Sequence, residues 1–151
     1  MDAIVGLGGV LLGFLLGLLP PWLERKKRRR VHFAALKGEL EICADFAATY
    51  MRDNVQAPLY RLPDHAYSTA IPALLLDGAL SGAEFKTLSE YYTLVWQLNR
   101  GLDSTDHFHR VEHHQLRNAE YERARLKAEQ LLADAANGKY SAAQRVVASH
   151  L

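Results

Sequence analysis

Four histidines fall close together in the chain: His107, His109, His113 and His114. Neutral imidazole is a common ligand for divalent transition metals, and two histidines four apart on one helix face the same side and could share an ion. His109-Arg110-Val111-Glu112-His113 spells H-x-x-E-H, with Glu112 placed to take a proton from a metal-bound water. His109, His113 and Glu112 are therefore the metal candidates.

Those five residues resemble the motif of the inverted zinc peptidases, a resemblance confined to the motif. That family takes a further carboxylate ligand from a separate downstream helix. Here Glu120, Glu122 and Glu129 fall on the same expected helix as the histidines, rising away from such a metal. A solvated polar face, or a proton-sensitive one, accounts for the same histidines without a metal. There is no glycine-rich phosphate loop, no Gly-x-Ser-x-Gly elbow, no cysteine cluster and no paired Glu-x-x-His arrangement. No catalytic residue and no cofactor is expected. The lone cysteine, Cys43, has no internal disulfide partner and fits a reducing compartment.

The elements around these residues divide the chain into three: an anchor over 1–23, a basic segment over 24–30 and a helical domain over 31–151. No charge interrupts Ala3 to Leu23, and 21 residues at about 1.5 Å each match a hydrocarbon layer of about 30 Å. Arg25, Lys26, Lys27, Arg28, Arg29 and Arg30 follow at once. Basic residues are retained on the cytoplasmic side, so the expected topology is a single pass through the cell (inner) membrane, N-terminus outside and domain inside. A cleaved signal would carry its positive charges before the apolar run instead. Trp22 falls at interface depth, where an indole can bury its ring and keep its N–H wet. Pro20 and Pro21 lack N–H groups and predict a kink or restart of the helix.

Gly9, Gly13 and Gly17 recur every fourth residue, with Gly6 nearby, and this spacing predicts a face on which another transmembrane helix, a copy or a partner subunit, packs closely. The basic run also predicts attraction to anionic lipids. Six of the 18 lysines and arginines lie in that run, leaving 12 basic against 15 acidic residues from Val31 onward, a net of −3. With no aromatic residue interleaved in the run either, nucleic acid is not an expected partner.

The domain reads as an all-α antiparallel bundle. Phe33, Leu36, Leu40, Cys43, Ala47 and Tyr50 alternate at three and four and predict one buried stripe on a helix over 22–54. Val55 to Pro63 reads as a connection, followed by short helical pieces over 64–70 and 72–80, the second starting at Pro72 and stopped near Gly78. Ser81 and Glu84 spell a capping box that opens a helix reaching about Asp103, with Phe85, Leu88, Tyr92, Val95 and Leu102 inward and Asn99 needing a partner if buried. A turn over 103–106 then leads to a helix over 105–136, stopped by Asn137 and Gly138, whose stripe of Tyr121, Ala124, Ala128, Leu131 and Ala135 is small enough for close approach. Ser141 and Gln144 repeat the capping-box spelling before a last helix to about His150.

The function expected from this pattern is an accessory, scaffolding or interaction subunit of a membrane assembly. A self-associating membrane effector or pore-type protein is the alternative from the glycine face, and a metal sensor or zinc-dependent enzyme the alternative from the histidines.

Overall fold

A computed structural model describes the backbone of residues 2–53, 60–132 and 138–151, and the side chains of these from Pro21 onward. Among the described residues there are five helices and no strand: α1 Asp2–Asp53, α2 His65–Leu76, α3 Gly82–Arg110, α4 His114–Leu132 and α5 Lys139–Ala148. The all-α reading therefore holds. α2 and α5 run antiparallel to α1, and α3 and α4 form an antiparallel hairpin closed onto α1 and α5.

The stripe on α1 is buried throughout: Phe33, Leu36, Leu40, Cys43, Ala47 and Tyr50 are each 2% exposed or less. Alternation at three and four keeps one line of a 3.6-residue helix facing inward. α1 does not restart at Pro20 and Pro21 but passes through both. Two missing N–H groups remove two bonds, whereas the turns on either side keep theirs, so the helix carries on.

Pro72 lies inside α2 rather than at the start of a second piece. The side chain is exposed, so the carbonyl it leaves unpaired, that of Ser68, can be met by water. α2 stops where expected: Gly78 adopts φ +61°, its N–H donates to Leu75 O at 3.0 Å, and the Ala79 N–H donates to Leu74 O at 2.8 Å. This is a Schellman closure, and its left-handed position carries no side-chain penalty at glycine.

The capping box at Ser81 and Glu84 is formed in both directions, with the Ser81 N–H on Glu84 Oε2 at 2.8 Å and the Glu84 N–H on Ser81 Oγ at 3.3 Å. α3 then runs past Asp103 to Arg110, so no turn occurs over 103–106. Leu102 and Thr105 face the core there, and the Thr105 hydroxyl donates back to Gly101 O at 2.9 Å. The inward face of α3 is also wider than a heptad line. Tyr91 and Leu98 are buried with Leu88, Tyr92, Val95 and Leu102, while Phe85 is 37% exposed. Helices on two sides of α3 require that width.

Tyr121, Ala124, Ala128 and Leu131 of α4 are buried as expected; Ala135 and Asn137 lie outside the described residues. The small residues do allow close approach, for a Cβ placed on Gly101 would stand 3.1 Å from Ala124 Cβ. α5 begins at Lys139 behind Gly138, without a side-chain cap, and ends at Ala148. Ser141 lies within its first turn and the Gln144 amide donates to the Tyr140 hydroxyl at 2.7 Å, so the second capping box is not formed. Half-buried Tyr140 packs on the core and starts the helix earlier.

Candidate functional site

The helices define two ends. Arg29 of α1, the C-terminus of α2, the start of α3 and the end of α5 meet at one; the α3–α4 turn lies at the other, about 40 Å along α3.

The histidines belong to the far end, and the chain does not present them as a helical ligand pair. α3 ends at Arg110 and α4 starts at His114, so the helix breaks inside the H-x-x-E-H sequence. Glu112 takes φ +56°, its N–H donates to His109 O at 3.3 Å and the His113 N–H donates to Phe108 O at 3.0 Å, a second Schellman closure built without glycine. His109 therefore sits in the last turn of α3 and His113 in the turn, on separate elements. His107, His109, Glu112, His113 and His114 are all exposed, and His109 Nδ1 stands 3.3 Å from Arg117 Nη1. Among the described residues, no three of His, Cys, Asp and Glu gather as metal ligands would.

The near end holds the more developed feature, a groove of about 780 Å³ between α1 and the corners of the bundle. Trp22, Arg25, Lys26, Arg29, Arg30 and Phe33 supply one wall, Gly78 and Ala79 the second, and His150 and Leu151 the third. The capping box fixes the floor. Glu84 Oε1 lies 2.8 Å from His150 Nε2, and the His150 ring stacks on Phe33 at 4.2 Å with the planes 4° apart. Hydrogen bonds from the Ser81 hydroxyl and N–H, and then the contact with His150, lower the Glu84 pKa to about 2. Arg29 donates to the carbonyl of Asp77, the residue that ends α2, and its Nε lies 3.7 Å from the Asp77 carboxylate; Arg28 approaches the same carboxylate at 3.9 Å. A cation at a helix C-terminus also complements the helix dipole. Lys26 Nζ sits 5.5 Å from the Trp22 ring centroid. Lys27 is exposed and does not line the groove.

Two polar devices position these walls. Glu39 is 6% exposed, and its carboxylate accepts from the Ala66 N–H at 2.7 Å, the Tyr67 N–H at 3.0 Å and the Tyr92 hydroxyl at 2.7 Å. It thus caps α2 from another helix, while the N-cap residue Asp64 accepts from Trp96 Nε1 at 2.6 Å. Asn99 pairs with both backbone groups of Leu62 at 2.8 Å, and Arg61 reaches Asp103 at 2.7 Å. Trp96, Asn99 and Asp103, spaced at three and four, hold the segment 61–64 along α3. Cys43 donates to Pro63 O at 3.2 Å, and burial, aided by the neighbouring Glu39 charge, pushes its thiol up to about 12. Burial likewise raises the Tyr91 and Tyr92 phenols, Tyr92 also through its bond to Glu39.

Gly9, Gly13 and Gly17 belong to α1, but the packing around them is not described, since the described side chains begin at Pro21 and leave out most of those of the expected span Ala3–Leu23. Among the described residues no helix is long and apolar enough to cross a membrane. Compared with known proteins, the chain matches no family model, no curated sequence and no solved structure.

Proposed function

We propose that the chain is a single-pass membrane protein of accessory or scaffolding type, anchored over Ala3–Leu23 with its helical bundle on the cytoplasmic side. The observation that carries this reading is the continuity of α1, which joins the uncharged stretch to the buried stripe in one helix of 52 residues, about 78 Å long. Such a helix ties the position of the bundle to that of the anchor. The basic run, at the bundle end nearest that stretch, supports the orientation, and Trp22, 58% exposed, stands where an interface residue belongs.

Partner binding is assigned to the glycine register. Gly9, Gly13 and Gly17 offer another membrane helix a face without side chains, and dispersion over that contact takes the place of the hydrophobic effect. The test is purification from native membranes in mild detergent, comparing the natural chain with Gly9→Leu/Gly13→Leu/Gly17→Leu. The triple variant should stay in alkali-extracted membranes but lose its co-purifying partner or its oligomer. Unchanged company and size would remove the packing role; release of the natural chain by alkali would remove the anchor.

A further inference from the structure

We propose that the groove beside the basic run is a site for the phosphate headgroup of an anionic phospholipid, one per chain. The inference rests on the membrane-anchored reading above and adds a stoichiometric ligand to it.

Arg25, Lys26, Arg29 and Arg30 recur at i, i+1, i+4 and i+5, so four of the six basic residues line one concavity. A run that only fixed topology would need no such gathering. Two carboxylates at this end are already engaged, Asp77 with Arg28 and Arg29, and Glu84 with Ser81 and His150. Arg25 and Arg30 have no ion pair among the described residues. Guanidinium groups donate in a planar fork that matches phosphate oxygens, and several of them converging on one cavity favour a localised anion.

The surroundings select a lipid over a soluble phosphate. Exposed Trp22 lines the groove, and the last turn of α2 beside Asp77 leaves Leu75 and Leu76 uncovered, Leu76 at 88% exposure. An indole, two bare leucines and a cationic cavity at one end of a bundle complement a headgroup layer, where charge and apolar surface lie within a few ångströms of each other.

The test uses the full chain in a neutral detergent, titrated with phosphatidic acid or phosphatidylcholine and read by native mass spectrometry. Phosphatidic acid should saturate at one per chain. Arg25→Gln/Arg30→Gln, which leaves the Arg29–Asp77 contact in place, should weaken it about thirty-fold, whereas the charge-matched Lys27→Gln/Lys37→Gln, at two residues outside the groove lining, should weaken it by less than about three-fold. Ala79→Glu, on the opposite wall and outside the run, should weaken it about ten-fold, with circular dichroism unchanged in every variant. Equal losses in the two double variants, or no effect of Ala79→Glu, would reduce the groove to diffuse attraction and overturn the site. Displacement by an equal concentration of inorganic phosphate would make soluble phosphate the occupant and overturn the lipid. Alkaline extraction reports the anchor separately: a chain that resists it yet binds no phosphatidic acid contradicts the lipid site alone.

Discussion

Glu39 accepts three hydrogen bonds inside the bundle, so removing its carboxylate strands two amides of α2 and the Tyr92 phenol without partners. Glu39→Ala should lower stability by about 3–5 kcal/mol, and Glu39→Gln, which keeps one acceptor oxygen, by less, as read from urea midpoints. A loss below about 1 kcal/mol for the alanine variant would contradict the capping role. At Glu84 the sign is set by a pKa held near 2 against an ordinary 4.5. Its stabilising contribution is present above pH 4.5 and is lost as pH falls toward 2. Ser81→Ala, which removes the largest cause of that shift, should cost about 1 kcal/mol at neutral pH and flatten the acid decline over that window. Glu39 was hard to read from sequence because an acid three residues after Leu36 looks like the polar edge of a stripe. Nothing local says that the N-terminus of a distant helix will arrive there.

Whole elements were legible where one rule decided them, as with the α1 stripe, the Ser81 capping box and the Gly78 stop. They were misread where tertiary contacts overrode the local signal. Asp103 to Asp106 has turn composition, yet α3 continues because Leu102 and Thr105 are buried and Gly101 lies against Ala124. The true turn fell on Val111 to His113, where no glycine marked it. That placement makes a prediction with a definite sign. Glu112→Gly relieves a left-handed glutamate and should raise stability by about 1 kcal/mol in thermal melts. In a helix running through H-x-x-E-H the same change would lower it by a similar amount. Asn99 on the inward face of α3 needs a partner, and that partner is the backbone of Leu62, a pairing that sequence spacing does not encode. Asn99→Ala should loosen the segment 61–64 and speed amide exchange at Leu62 before it alters global unfolding.

At the scale of the molecule, α1 makes the uncharged stretch and the buried stripe one helix. The basic groove then belongs to the end nearest the expected anchor, and the histidine turn to the end farthest from it. The basic run itself was plain in the sequence, whereas its concavity was not, since two of its three walls come from the α2–α3 corner and the end of α5. Topology can be read with single introduced cysteines, because Cys43 is buried with its thiol pushed up to about 12 and should react slowly in the folded chain. The most direct measurement is labelling of intact cells and of opened cells with a membrane-impermeant maleimide, for Asp2→Cys and Lys127→Cys separately. The account predicts that position 2 labels in intact cells and position 127 only after opening; labelling of position 127 in intact cells, or of neither position until the cells are opened, would contradict it.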